Sequence, residues 1–343
     1  MKPSHRHPSL PFLRESLGRF CAGAALLAVL VALSACRSTE PALASLPTQT
    51  PAASVDYPDP GNGTGQQSLQ IPVAPGQAPV PARQTPPSSG VAGTAPTADA
   101  RPELTAKAAI LVDGYGRVLF EKNADTRLPT ASTQKLLLGI LVAEQGQFDK
   151  PITVVESDTW VEPTMMGLKP GEVYVKGELF KAVLVRSYND IARVLARDHS
   201  GSEAAFVANM NQRARQLGMH NSYFTNSNGL PSPPGQYSTA RDLARLGMAA
   251  LRNPYVRDAV GTKVYSFRLA NGTTKTLYNT NQVLKHFPYC TGCKTGYTNA
   301  AGRCLVSSAT ANGKSVVAVV LGCNSTKTVS MESEALLRYG LGM

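Results

Sequence analysis

Apolar runs rich in β-branched residues lie near both ends of the region from residue 102 to residue 343. At its start, Ala108–Val112 is apolar, Asp113–Gly116 has the composition of a turn, and Arg117–Phe120 completes a predicted β-hairpin. In the last third, similar runs predict strands over 262–269, 274–278, 290–297, 304–309 and 316–322.

Between these strands the apolar positions predict helices. A helix beginning at about Ser132 has apolar residues around most of its circumference, which predicts that it is buried in the domain centre. These residues are Leu136, Leu137, Leu138, Ile140, Leu141 and Val142. Further helices are expected over 179–199, 203–217 and 330–339. This order of elements indicates an α+β fold whose two ends share one antiparallel sheet.

The first 36 residues have the pattern of an export signal. A basic segment precedes an apolar stretch over 22–33, which is shorter than the about 20 residues that a membrane-spanning helix needs. The stretch ends in Leu33-Ser-Ala-Cys36, which resembles the lipobox of bacterial lipoproteins. The resemblance implies a lipid on Cys36 and an exported, lipid-anchored protein of the cell envelope, on the periplasmic side of a membrane. Arg37 in place of Asp favours the outer membrane of a two-membrane cell, and a plain secretory signal is the alternative.

Residues 37–101 have the composition of a linker. They hold 12 of the 25 prolines of the chain, with Ala, Gly, Ser, Thr and Gln between them. Such a stretch cannot bury enough apolar surface to offset the entropy of ordering it. A disordered tether is therefore predicted over 37–101, and a globular domain over 102–343.

The net charge of the chain does not identify a binding partner. The chain has 34 Lys and Arg against 23 Asp and Glu, a formal net charge of +11. A basic surface suits nucleic acid, anionic lipid or an acidic polymer. Because no basic run alternates with aromatic residues, nucleic acid is not favoured as a partner, and an ordinary solvated surface explains the excess.

Three short polar elements stand out against the apolar pattern. They are Ser132-Thr-Gln-Lys135, Ser187-Tyr-Asn189 and Lys294-Thr-Gly296. Each arises often by chance, but their order, spacing and settings form the set found in penicillin-binding proteins and β-lactamases. Together they indicate nucleophilic catalysis by a serine.

The first element has a physical rationale of its own. Positions i and i+3 share one face of a helix, so Lys135 can reach the hydroxyl of Ser132. A lysine can act as the base for a serine only where burial and positive neighbours lower its pKa. The apolar helix supplies burial, and Lys294 could be the positive neighbour. The helix start also places backbone N–H groups where they stabilise an oxyanion.

Each element also has an interpretation without catalysis. Ser132 could cap a helix with Lys135 in solvent, but a lysine within so apolar a helix would be costly. Ser187 and Asn189 could form a polar turn between helices. Gly296 could simply permit close approach of another backbone, which substrate binding along a strand edge also requires.

The similarity to a known family extends beyond these elements. From residue 105 to residue 341 the chain resembles low-molecular-weight penicillin-binding proteins of the serine-type D-alanyl-D-alanine carboxypeptidase family. The matching segments are Ala109–Asp113, Leu128–Lys135, Ser187–Asp190, Leu217–Met219, Asn226–Leu230, Tyr237–Asp242 and Gly292–Gly302. The resemblance implies a β-lactamase/transpeptidase-like fold, an antiparallel five-stranded sheet flanked by helices with a mostly helical subdomain.

The resemblance also implies an activity. The protein would be a serine D,D-carboxypeptidase that removes the terminal D-Ala from peptidoglycan stem peptides through a covalent acyl-enzyme, with β-lactams as covalent inhibitors and no cofactor. Ser132 would be the acylated nucleophile, Lys135 its base and Ser187 a proton relay.

The same resemblance assigns groups that bind the substrate. Asn189 would orient the substrate amide. Lys294 and Thr295 would meet the terminal carboxylate, beside the strand that carries Gly296. The backbone N–H of Tyr297 would form an oxyanion hole with that of the nucleophile.

The chain departs from the family pattern at two positions of interest. Tyr188 stands where Gly is usual, and it is expected at the cleft wall, where it would narrow what the cleft accepts. Val329 stands near the place of an Arg that often helps to hold the carboxylate, and Lys327 is the nearest cation in the sequence. The chain also ends at Met343 without the β stalk and C-terminal anchor of many relatives, which an N-terminal lipid could replace.

Four cysteines follow residue 102, and they allow three disulfide pairings in an exported protein. Cys290 and Cys293 would face opposite sides of a strand, so that a bridge between them would need a bulge or a turn. The simplest hairpin register does not place Cys304 opposite Cys323, which favours buried thiols there. A zinc site with His286 fits by spacing but is not favoured, and no metal is expected.

Other functions remain alternatives for these motifs. A serine β-lactamase needs a group that activates water, and Glu162-Pro163 precedes Ser187 where such a Glu should follow it. A β-lactam or muropeptide sensor, or a wall-binding scaffold, would keep the pocket without turnover. A D,D-endopeptidase acting on cross-links would share every motif with a carboxypeptidase.

Overall fold

The structure, a computed structural model, describes residues 101–343. The predicted signal segment with Cys36, and the predicted tether up to residue 100, lie outside the described residues. No helix from residue 101 onward is both long and apolar enough to cross a membrane.

Nine strands and eight α-helices form in this part of the chain. The strands are β1 (Ala108–Asp113), β2 (Val118–Lys122), β3 (Pro151–Thr153), β4 (Val173–Val175), β5 (Val264–Arg268), β6 (Thr274–Tyr278), β7 (Cys290–Thr298), β8 (Gly302–Ala311) and β9 (Lys314–Cys323). The helices are α1 (Lys135–Gln145), α2 (Lys176–Arg186), α3 (Asn189–Ser200), α4 (Glu203–Gln216), α5 (Ala240–Arg252), α6 (Pro254–Gly261), α7 (Gln282–His286) and α8 (Thr326–Leu341).

The central sheet joins the two ends of the described chain. Its strand order is β2-β1-β9-β8-β7, with every neighbouring pair antiparallel. Ile110 of β1 lies opposite Val319 of β9. The predicted α+β class and the shared antiparallel sheet are therefore confirmed. Strand β7 lies at the edge of the sheet, so one row of its backbone groups is free of strand partners.

Each face of the sheet packs against its own helical layer. Successive side chains of a strand point to opposite faces. Ile110 and Val319 therefore join the core that contains α1 and α5, whereas Leu111 and Val320 join the core that contains α8. Full burial of one such side chain contributes about 1.5–3 kcal/mol, so both layers are firmly held.

Helix α1 lies in the centre of the domain, as its apolar pattern predicts. Every residue from Lys135 to Ala143 is buried. The helix begins slightly later than expected, because Ala131–Gln134 form a turn of 3₁₀ helix that runs directly into it. Ser132 lies in that turn.

One predicted helix needs correction, and three short or medium helices were not predicted. The single helix expected over 179–199 is two helices, because Ser187 has a left-handed backbone with φ of 72° that ends α2 before α3 begins. Helix α5 was not expected, although Thr239 caps it and its apolar residues recur at helical spacing. The short helices α6 and α7 were not expected either.

Candidate active site

A cleft of about 400 Å³ lies along the open edge of β7. Six of the eight predicted catalytic and substrate-binding residues line it: Ser132, Ser187, Asn189, Thr295, Gly296 and Tyr297. The remaining two, Lys135 and Lys294, are buried behind its wall. The fold thus gathers three elements that are far apart in the sequence.

The amine of Lys135 has a complete set of partners. Its Nζ lies 2.8 Å from Ser132 Oγ, 2.7 Å from Asn189 Oδ1 and 2.5 Å from the carbonyl oxygen of Asn228. A neutral amine has two N–H donors and one lone pair. In its neutral form Lys135 can donate to the two acceptor oxygens and accept the proton of Ser132, whose Oγ in the structure also lies 3.1 Å from the Asn228 carbonyl oxygen.

Burial and charge both favour this neutral form. Burial lowers the pKa of Lys135 well below its usual value, the nearby Lys294 lowers it further, and Asp190 partly opposes both effects. Burial also lowers the pKa of Lys294, to about 7. The two conditions that a basic lysine requires, a dry environment and a positive neighbour, are therefore both present.

The second element bridges two helices at the cleft wall. Ser187 is the left-handed residue that follows α2, and its side chain faces the cleft. Asn189 begins α3, and its Nδ2 donates to the carbonyl oxygen of Pro163 at 2.5 Å. Because the same amide accepts from Lys135 through Oδ1, the start of α3 is held against that lysine.

Two glycines let the backbone close around Ser132. A Cβ on Gly296 would lie 2.8 Å from the Thr130 carbonyl oxygen and 3.0 Å from the Ser132 nitrogen. A Cβ on Gly229 would lie 2.4 Å from the carbonyl group of Ala131. Another backbone does approach Gly296 closely, and it is the backbone that carries Ser132.

Backbone strain accompanies this close packing. Ala131, directly before Ser132, has a φ of 48°, and Ser187 has a φ of 72°. Non-glycine residues adopt such values at a cost of about 1–3 kcal/mol, and they do so mainly where the surrounding structure enforces a functional geometry.

Strand β7 presents its side chains alternately to the cleft and to the interior. Thr295 lines the cleft and shares a hydrogen bond of 2.7 Å with the hydroxyl of Thr280. Lys294 points to the other face, where its Nζ donates to the carbonyl oxygen of Thr295 at 2.9 Å. Thr295 is therefore the group of this pair on the cleft wall, and Lys294 supplies a charge from behind it.

The expected effect of Tyr188 on the cleft is wrong. Its side chain belongs to the hydrophobic core and is 6% exposed, and it does not line the cleft. Tyr188 has an extended backbone between the left-handed Ser187 and the first residue of α3.

Sequence reasoning missed several groups of the site. Asn228 offers the carbonyl oxygen that accepts from Lys135, and Thr280 orients Thr295. The segment Asn226–Leu230 was part of the family resemblance, but no role followed from it. Every residue has a backbone carbonyl oxygen, so the residue type at position 228 could not predict this acceptor. The cluster of Asn and Gly residues was the only feature of the segment that indicated a special role.

The four cysteines are free, buried thiols in the structure. Burial raises their pKa values, to about 11 for Cys290 and Cys304 and to about 12 for Cys293 and Cys323. The strand register shifts between Cys290 and Gly292, which is an irregularity of the kind that a bridge between Cys290 and Cys293 would need, but the two thiols stay free. Cys323 of β9 lies opposite Arg303 of β8. Cys304 and Cys323 are therefore not paired across these two strands, as expected.

Comparison with known proteins gives one consistent family. The family described as D-alanyl-D-alanine carboxypeptidase matches residues 95–325. The D-alanyl-D-alanine carboxypeptidase DacF of Bacillus subtilis is 33% identical over 242 residues, which cover 68% of this chain and 61% of that protein. The chain spans about three fifths of the length of such curated relatives.

Two further proteins extend the comparison. The D-alanyl-D-alanine endopeptidase of Pseudomonas aeruginosa is 31% identical over 243 residues, covering 69% of this chain and 77% of that protein. The crystal structure of a D-alanyl-D-alanine carboxypeptidase from Mycobacterium tuberculosis matches with a TM-score of 0.68 and 30% identity, covering 74% of this chain and 95% of the other.

Proposed function

The chain belongs to the D-alanyl-D-alanine carboxypeptidase family, and on that basis we propose that it is a serine-type D,D-carboxypeptidase that removes the terminal D-Ala from peptidoglycan stem peptides. The single observation that carries the proposal is the contact of 2.8 Å between the buried amine of Lys135 and Ser132 Oγ at the wall of a cleft. A lysine with a lowered pKa beside a serine hydroxyl is an activated nucleophile.

The reaction proceeds through an ester of Ser132. Its Oγ attacks the carbonyl carbon of the penultimate D-Ala while neutral Lys135 takes the hydroxyl proton. The peptide C–N bond then breaks, and the proton passes through Ser187 to the amine of the departing D-Ala. Water hydrolyses the ester and restores the free serine.

The edge strand and the nucleophile bind the reacting amide. The backbone N–H groups of Ser132 and Tyr297 are the oxyanion hole, which stabilises the charge that develops on the carbonyl oxygen. Asn189 has one N–H left for the substrate amide after its bond to Pro163. The terminal carboxylate lies against Thr295, and the positive charge of Lys294 stabilises it from behind.

β-Lactams acylate the same serine and act as covalent inhibitors. The β-lactamase alternative has less support, because no Asp or Glu lines the cleft in the described part of the chain. Glu162 is exposed and faces a neighbouring cavity of about 650 Å³. A carboxylate that could activate water against the acyl-enzyme is thus missing from the cleft wall.

D,D-endopeptidase action on cross-links is the second candidate. The 31% identity to the endopeptidase of Pseudomonas aeruginosa favours it, as does Val329, which leaves an uncharged side chain where the family often has an Arg. A sensor or scaffold without turnover is a third candidate, and the complete hydrogen bonding around Lys135 speaks for catalysis instead.

Product analysis separates these candidates. The full chain is incubated with a disaccharide pentapeptide and with a cross-linked dimer, and the products are identified by mass spectrometry. We expect release of D-Ala from the pentapeptide, and Ser132→Ala should abolish it. Faster cleavage of the dimer would favour the endopeptidase, rapid hydrolysis of penicillin a β-lactamase, and a stable penicillin adduct without turnover the sensor.

The proposed location is the cell envelope. The basic segment, the short apolar stretch and the lipobox-like ending support a lipid on Cys36, with residues 37–101 as a tether to the outer membrane or, in a cell with one membrane, to that membrane. Labelling cells with a tagged fatty acid should mark the protein. Cys36→Ser should remove the label and Cys21→Ser should retain it, whereas a label that persists in Cys36→Ser would refute the anchor.

A further inference from the structure

The cations on the cleft wall have no anionic partner. Arg186, Lys285 and Arg303 line the cleft, and among the residues from 101 onward no Asp or Glu does. None of the three belongs to an ion pair within that part of the chain. An accumulation of one charge in a concave site favours a ligand of the opposite charge.

Arg303 is the best positioned of these cations. It lies on β8 directly opposite Tyr297 of β7, so its side chain leaves the sheet on the same face as Tyr297 and, two residues along, Thr295. The guanidinium carbon lies 3.6 Å from the centre of the Tyr297 ring, a cation–π contact that restricts the long side chain. Val329 lines the same cleft.

The other two cations are less suited to bind one anion in one geometry. Lys285 and Arg186 are exposed, whereas Arg303 is half-buried. A guanidinium also presents two parallel N–H groups that match a carboxylate, which the point charge of a lysine does not. Arg303 therefore combines a suitable charge, a suitable shape and a restricted position.

We propose that Arg303 binds the terminal carboxylate of the substrate together with Thr295, and so replaces the cation that Val329 cannot supply. The proposal rests on the proposed carboxypeptidase activity. It makes Arg303 a residue that determines specificity for a free C-terminal carboxylate, and it places that residue on a strand of the sheet instead of on helix α8.

The test measures kcat/KM of the full chain on an acetylated peptide ending in D-Ala-D-Ala and on its C-terminal amide. Arg303→Leu should lower kcat/KM for the free acid by about 30-fold, which corresponds to about 2 kcal/mol, and should change the slow reaction of the amide less than twofold. Arg303→Lys should have a kcat/KM for the free acid between those of the wild type and of Arg303→Leu. Arg215→Leu, which removes an exposed cation outside the cleft, is the matched control.

A rescue variant separates binding from a structural role. Val329→Arg, added to Arg303→Leu, should raise kcat/KM for the free acid at least fivefold above that of Arg303→Leu alone. It should leave kcat/KM for the amide unchanged. Equal losses on both peptides, or no loss in Arg303→Leu, would overturn the role of Arg303 while leaving the carboxypeptidase intact. A wild-type chain that releases no D-Ala from the free acid would overturn the proposed function as well.

Discussion

Replacement of Lys135 by methionine tests the proposed role of this residue as the base most directly. Methionine has a similar length and no charge, so it fills the buried position without opening a large cavity. A positioned general base contributes about 10²–10⁴-fold to the rate. Acylation of Ser132 in Lys135→Met should therefore fall by at least about 100-fold, equivalent to about 2.7 kcal/mol or more in the transition state.

The effect on stability is the sum of two opposing contributions. Loss of the amine leaves Asn189 Oδ1 without its lysine donor, at about 1–3 kcal/mol, whereas the Asn228 carbonyl oxygen keeps the hydroxyl of Ser132 as a donor at 3.1 Å. Removal of a buried ionisable group that the fold desolvates opposes this loss. We expect the free energy of unfolding to stay within about 3 kcal/mol of the wild type, small enough for the variant to fold.

The pKa of Lys135 also predicts how the stability difference between the wild type and Lys135→Met changes with pH. The pKa of Lys135 in the folded chain lies below 10.5, its ordinary value. Between the two values the unfolded chain binds more protons, so the wild type gains stability as the pH rises through that window. Lys135→Met lacks this gain, and its stability relative to the wild type should be highest at low pH.

Stopped-flow acylation by a chromogenic cephalosporin measures the rate, and urea unfolding at pH 6 and pH 9 measures the stability. Lys176→Met is a matched control, because the Lys176 side chain is also fully buried but its Nζ pairs with Asp198 at 3.4 Å, away from the cleft. An acylation rate within tenfold of the wild type in Lys135→Met would show that another group activates Ser132.

Gly296→Ala should slow acylation by about 100-fold, because the new Cβ would displace the backbone around Ser132 and a shift of about 1 Å has effects of that size. Gly114→Ala, whose nearest atoms lie at 3.5 Å, is the control, and normal acylation in Gly296→Ala would contradict the close contact. The KM for a peptide with a free carboxylate should rise above pH 7, by at most about tenfold per pH unit, since Lys294 has a pKa of about 7 and loses its charge above it. A flat KM between pH 6 and pH 9 would show that this charge does not assist binding.

The elements that the sequence predicts correctly are those with a strong local period. Helix α1 follows from a dense apolar run, and the hairpin of β1 and β2 follows from two short runs around a Gly-containing turn. The strands near the chain end were also predicted within a few residues. A local period is enough here because burial of one face selects the element.

Local patterns were insufficient where one residue has an unusual backbone. The apolar spacing of α2 and α3 continues across their junction, so the sequence reads as one helix. The left-handed φ of Ser187 is costly for a residue with a Cβ, and only contacts from distant parts of the chain can enforce it.

The sequence by itself determined the fold class and the chemical groups of the site, because motif spacing and apolar periodicity are local properties. Tertiary structure decided how those groups are arranged. It placed the Asn228 carbonyl oxygen against Lys135, buried Lys294 behind Thr295, and laid Arg303 on the ring of Tyr297. Each of these contacts joins segments whose pairing depends on the register of the sheet and on the packing of loops, and no residue type encodes such a contact alone.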